Sequence, residues 1–273
     1  APSQPKVTGS VPLTKTEAPK PEETKATQRF LVETPLFKVT FTDLGGGIES
    51  VKLNQYKEAV KGVGGKELVQ DIKPYSYTPK VSKTTNGSTV NDRTIFKPDK
   101  NRMSIQDKPE TIIFSGTLTD GKRIRKIYTF YPDKYTIDMK IEVEATDADK
   151  AMVDFTVISG TNPNSYVFKG PFIYNGKKFE QIDKIDKDIA VDKTYTYAGL
   201  DEGFFAFIWL PSEDSHFPLT IHNAENNVPV LRMSMDKGMA TGRLFFGPKQ
   251  TDVLKSLDVQ AQKIIDFGWF DVI

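Results

Sequence analysis

The segment TIDMKIEVE, residues 136–144, alternates without exception. Ile137, Met139, Ile141 and Val143 fall on one side, and Asp138, Lys140, Glu142 and Glu144 on the other. A period of two cannot present one apolar face on a helix, so the segment predicts a strand with one face buried and one wet. The same grammar recurs. LFKVTFT places Phe37, Val39 and Phe41 together, and TIIFSGTLT, KRIRKIYTFYP, AMVDFTVIS, FPLTIHN, VPVLRMSM and MATGRLFF read as further strands. Asn86-Gly87 and Pro132-Asp133 mark turns, and Asp120-Gly121 and Asn175-Gly176 are two-residue hairpin signals. Helical periodicity is confined to about residues 248–266. Many strands at short spacing without intervening helices predict an all-β, mostly antiparallel sandwich of two large packed sheets, with a short C-terminal helical segment.

Composition narrows the function classes. Basic and acidic residues number 37 and 36, which leaves no electrostatic footprint for nucleic acid or an anionic membrane surface. Without cysteine there are no disulfides, thiolate metal sites or thiol nucleophile. The longest apolar run, FFAFIWL at 204–210, is far short of the about 20 residues that cross a bilayer and reads as a buried strand. Residues 1–28 are rich in proline, threonine, lysine and glutamate and carry no aromatic before Phe30, so they read as a disordered tether. Residues 56–109 read as irregular surface structure with short strands.

Several features invite chemistry and are better explained otherwise. Gly45-Gly46-Gly47 lacks phosphate-loop spacing and precedes a strand-like IESVKL, so it reads as a tight turn. Asp183, Asp186 and Asp188 approach calcium-loop spacing but lack its glycine and closing glutamate. Lys122, Arg123, Arg125 and Lys126 fall on both faces of one strand and read as a solvated strand end. His216 lies in a polar turn and His222 on a strand face, at no metal-ligating spacing. No catalytic, metal or cofactor residues are assigned.

The C-terminal stretch is the best candidate interface. Leu254, Leu257, Ala261, Ile264 and Ile265 recur at helical spacing, and Phe267, Trp269 and Phe270 then cluster around Gly268. These aromatics either close the core or form a belt at a membrane interface. Their coincidence with the end of the sequence favours the belt, with something apolar expected beyond Ile273.

Four stretches resemble the large periplasmic domain of the YidC membrane protein insertase family. They are VETPLFKVTFTDLGGGIESVKLNQYKE, KIYTFYPDKYTIDMKIEV, GPFIYNGKKFEQI through FFAFIWLPSED, and GRLFFGPKQTDVLKSL with IDFGWFDVI. The resemblance implies a β-supersandwich similar to galactose mutarotases over residues 29–247. It implies a first transmembrane helix before the tether, and a C-terminal helix over 248–273 leading to the next. It further implies the periplasmic face of the bacterial inner membrane as location. The role it implies is non-enzymatic, aiding insertion and folding of membrane proteins, with SecF and the Sec translocon, nascent membrane proteins and the membrane-embedded insertase core as partners. The positions matching the family's closing helix are Leu254, Leu257, Ile264, Ile265, Phe267, Gly268 and Trp269. A carbohydrate-binding or mutarotase-like domain is the alternative, with Tyr75, Tyr77, Tyr166 and Tyr174 as candidate aromatic platforms. A spacer without partners is a third reading.

Overall fold

The computed structural model describes residues 24–57, 65–69, 77–156, 168–224 and 227–257. The strands in chain order begin with β1 (Arg29–Glu33), β2 (Phe37–Thr42), β3 (Gly47–Leu53) and β4 (Lys66–Glu67). The stretch least legible in sequence supplies β5 (Lys80–Thr85), β6 (Ser88–Asn91), β7 (Lys97–Pro98) and β8 (Arg102–Ser104). The long strands β9 (Glu110–Thr117), β10 (Arg123–Phe130), β11 (Thr136–Val143) and β12 (Asp149–Phe155) follow. Next come β13 (Lys169–Tyr174), β14 (Phe179–Gln181), β15 (Ile189–Val191), β16 (Tyr197–Glu202) and β17 (Phe205–Pro211). The chain continues with β18 (Leu219–Ala224), β19 (Val228–Met235), β20 (Met239–Pro248) and a helix α1 (Thr251–Lys255).

These strands form three sheets rather than the two expected. A nine-stranded sheet has the order β14-β13-β16-β17-β20-β11-β10-β9-β7, and every pair in it is antiparallel. A five-stranded sheet runs β4-β3-β2-β1-β8, and a six-stranded sheet runs β15-β18-β19-β12-β5-β6. Both smaller sheets lie on one face of the large one. On that face of β10, Tyr128 packs against Phe41 of β2, with ring centres 4.9 Å apart. Two residues earlier, Lys126 reaches Asp92 and Pro79 at the ends of β6 and β5. Farther along, Phe155 of β12 stacks on Trp209 of β17 at 4.9 Å. The apolar faces predicted by alternation therefore meet in a single aromatic core.

Turn chemistry follows local sequence in part. Asn86 and Gly87 take φ of 50° and 81° and close a two-residue hairpin between Thr85 and Ser88. Asp120-Gly121 instead lies within a longer connection from Thr117 to Arg123, because Leu118 N–H donates to the Lys122 carbonyl before the turn begins. Gly45 and Gly46 have φ of 70° and 56°, as a tight turn requires, and a Cβ on Gly45 would sit 2.3 Å from the Tyr77 ring.

Asp43, just before that turn, is buried and anchors the incoming chain. Its carboxylate accepts from the Thr27 and Gln28 N–H groups at 2.9 and 3.0 Å and from the Thr27 hydroxyl. Asp43→Ala strands these donors and is expected to cost about 1–3 kcal/mol. Amide exchange at Thr27 and Gln28 should accelerate selectively, and unchanged exchange there would remove Asp43 as the anchor.

Two sequence readings need correction. Lys126 is not part of a solvated strand end: it occupies an inward position of β10 and is completely buried. Its ammonium bonds the Asp92 carboxylate at 2.6 Å and the Pro79 carbonyl at 2.7 Å. Burial pulls it below the ordinary lysine value, against the opposing pull of Asp92. The second concerns FFAFIWL, whose first residue, Phe204, lies in the turn before β17 and is 58% exposed, while Ala206 to Leu210 are buried.

Candidate functional site: an outer-face groove and a clamped helix

With the smaller sheets covering one face, the other face of β10, β11 and β20 is left to a groove of about 710 Å³. Its size lies within the range of about 300–1,000 Å³ typical of ligand pockets. Strand register arranges the lining. Thr129, Asp138, Arg243 and Leu210 lie across β10, β11, β20 and β17 in one row, and Ile127, Lys140 and Thr241 in the next. The segment 212–216 bounds one side, and β20 holds it there. Ser212 Oγ donates to the Thr241 carbonyl at 2.9 Å, and Ser215 Oγ accepts from Thr241 N–H at 2.8 Å.

Charge in the groove balances, with Asp138 and Glu213 facing Lys140 and Arg243. Asp138 accepts from the Tyr131 hydroxyl, and that bond, followed by burial, pushes the phenol up to about 12. Lys140 pairs with Glu142 at 2.6 Å. His216 Nε2 meets the Tyr195 carbonyl, which can only accept, so Nε2 donates. Among the described residues no three His, Asp or Glu side chains approach closely enough to hold a metal ion.

Helix α1 adjoins this groove. After Pro248 the chain folds back beside β20, so that Arg243, on the groove wall, donates from Nη2 to the Leu257 carbonyl at 3.3 Å. Leu254 and Leu257 are both buried, and Val253 packs on the same core. The other end of the helix is held by Lys249, whose ammonium bonds both oxygens of Asp201 at 2.9 and 2.8 Å. Burial raises the Asp201 carboxyl above its ordinary value, and Lys249 pulls it back. Gln250 donates to the Tyr56 hydroxyl at 3.0 Å, and the Tyr56 ring packs edge-on against Phe205. Asp252 in the first turn and Lys255 in the last complement the helix dipole.

Of the sequence-predicted interface residues, the structure brings Leu254 and Leu257 together on the core. Ile264, Ile265, Phe267, Gly268, Trp269 and Phe270 lie outside the described residues. Of the candidate sugar platforms, Tyr174 is fully buried and Tyr77 is 2% exposed, its hydroxyl bonded to Asp92 at 2.8 Å. Neither offers a ring face to solvent, and Tyr75 and Tyr166 lie outside the described residues. Asp183 and Asp186 line a separate small cavity beside Asn223 and Asn227. Sequence reasoning missed Arg243, Lys249 and Asp201. Asp201 is a charge at a buried strand position, Lys249 follows the end of β20 and Arg243 is an ordinary outward residue within it, and the Lys249–Asp201 partners lie 48 residues apart.

Residues 29–273 match the family of YidC periplasmic domains. The membrane protein insertase YidC of Syntrophus aciditrophicus is 27% identical over 265 residues, which cover 90% of this chain and 48% of that protein. Its counterpart in Geobacter sulfurreducens is 28% identical over 261 residues, covering 87% and 48%. The chain thus spans about half the length of these curated relatives. Among solved structures, a galactose mutarotase related enzyme from Lactobacillus acidophilus aligns with a TM-score of 0.49 at 10% identity, over 80% of this chain and 97% of that one. A putative aldose 1-epimerase from Escherichia coli K12 aligns with a TM-score of 0.46 at 9% identity, over 80% and 98%. With a match that takes in the whole folded body and the helix that closes it, the chain belongs to the YidC periplasmic domain family.

Proposed function

We propose that this chain is the periplasmic accessory domain of a membrane protein insertase, placed at the periplasmic face of the inner membrane. In this reading it aids insertion and folding of membrane proteins through docking or chaperone-like contacts, without catalysis. The family match over residues 29–273 carries the proposal. The geometry supports it in two ways. The groove offers balanced charges and hydroxyls suited to holding a polar partner surface. The clamp on α1 fixes where the described chain leaves the sheet, and in this reading residues 258–273 lead from there to the membrane-embedded insertase core. The Sec translocon, SecF in particular, and nascent membrane proteins are the proposed partners.

The test uses the full-length protein in native membranes. With the domain present, SecF should co-purify with the insertase, and deletion of residues 30–240 should abolish that association. Co-purification that survives the deletion would reduce the domain to a spacer.

A further inference from the structure

Two Asn-Gly pairs stand at the tips of hairpins, and the fold holds them differently. The pair is a reactive sequence as well as a turn signal. The backbone nitrogen that follows an asparagine can attack its side-chain carbonyl carbon, and glycine puts no Cβ in the way.

Asn86 and Gly87 join β5 to β6, and both are exposed. A Cβ on Gly87 would meet nothing within 4 Å, so the turn stands in open solvent. Among the described residues the Asn86 side-chain amide makes no hydrogen bond. Strand β6 is the edge of its sheet and pairs with β5 at four register positions. Its far end, Asn91, is tied to Thr119 through two hydrogen bonds. The end that opens most readily is therefore the turn, where Ser88 and Thr89 are exposed.

Asn175 and Gly176 follow β13, and there the side chain is engaged. Asn175 Oδ1 accepts from the Lys177 and Lys178 N–H groups at 3.0 and 2.8 Å. Asn175 N–H donates to the Lys178 carbonyl at 3.2 Å. Gly176 is half-buried, and a Cβ on it would lie 3.3 Å from the Thr196 hydroxyl. Ring closure at Asn175 must first break both bonds to Oδ1, whereas at Asn86 it needs only the turn to open.

We propose that Asn86 is a site of spontaneous covalent modification, deamidation through a succinimide, and that the fold protects Asn175 from it. The Gly87 nitrogen bonds to the Asn86 side-chain carbonyl carbon and gives up its proton. The bond from that carbon to the amide nitrogen breaks, and ammonia leaves with the proton. Water then opens the ring at either carbonyl and yields aspartate or isoaspartate, so the balance is water in and ammonia out. Either product adds one negative charge and takes the formal charge of the chain from +1 to zero. Isoaspartate also inserts a methylene into the main chain of a two-residue turn whose twist matches its strands. The Thr84–Thr89 hydroxyl contact at 2.8 Å, one pair in from the turn, is the one it should disturb.

The 273-residue chain is incubated at mildly alkaline pH in water enriched in heavy oxygen, with a parallel sample in denaturant. Samples taken over time are digested in ordinary water and their peptides followed by mass spectrometry, with fragmentation that separates isoaspartate from aspartate. In the folded chain, labelled product at Asn86 should accumulate about tenfold faster than at Asn175, the factor implied by two ordinary hydrogen bonds that must break first. In denaturant the two sites should react at similar rates, since glycine follows both. Equal rates in the folded chain, a difference that persists in denaturant, or conversion of Asn86 only in denaturant overturns the proposal.

Discussion

Asp92→Ala should lower the unfolding free energy by about 3–5 kcal/mol, because it leaves the Lys126 ammonium buried without its counter-charge. Lys126 is fully inaccessible, lies 5.4 and 5.6 Å from the ring centres of Tyr77 and Phe96, and among the described residues has only the Pro79 carbonyl as its other hydrogen-bond acceptor. The same substitution strands the Tyr77 hydroxyl and the Val81 N–H. Removing both charges is the informative contrast. Asp92→Asn combined with Lys126→Met keeps an acceptor for Tyr77 and eliminates the buried cation. Although it alters two core residues, it should cost less than Asp92→Ala alone. Denaturant unfolding of the three proteins measures this. If the double variant is the less stable of the two, the buried pair is itself a net source of stability and the desolvation argument fails.

The second large effect concerns α1. Fully burying a leucine stabilises a fold by about 1.5–3 kcal/mol, and Leu254 and Leu257 are both buried. Leu254→Asp with Leu257→Asp forfeits that burial and places two carboxylates in the apolar core that the leucines fill. Because burying such charges costs several kcal/mol, the helix should leave the sheet rather than keep them inside. Protease cleavage within residues 249–257 should then appear, with a lowered melting temperature, while the cross-strand pairs of the nine-stranded sheet stay protected from amide exchange. Undiminished protease resistance and thermal stability would contradict the packing of this helix. Arg243→Ala, which removes only the bond to the Leu257 carbonyl, should loosen the helix end without the large stability loss.

These two sites differ in how far they could be read from sequence. Leucine spacing alone pointed to Leu254 and Leu257, since helical periodicity is local. Lys126 was legible by position and hidden by type: Ile124, Lys126, Tyr128 and Phe130 form the inward row of β10, and alternation placed the lysine inside. What overrides the usual exposure of lysine is Asp92, 34 residues away in a stretch whose short strands carry little periodicity. The long strands and the Asn86-Gly87 turn were evident because period and turn chemistry are properties of neighbouring residues. The division into three sheets was not, because partners such as β11 with β20 or β12 with β5 are set by packing between distant segments. The groove illustrates the same limit. Each lining residue is an ordinary outward side chain of its strand, and only register makes neighbours of Thr129, Asp138 and Arg243.

The place of β20 also bears on mechanics. It is flanked by β17 on one side and β11 on the other, so it can leave the sheet only by breaking two ladders. Tension applied at residue 257 meets α1 first, whose few bonds yield one after another. It then meets a strand loaded along its length, where rows of hydrogen bonds resist in shear. A force-extension trace should show an early, low-force release of the helix followed by a separate high-force rupture of the sheet. The domain would then take up small displacements of its attachment without losing its shape.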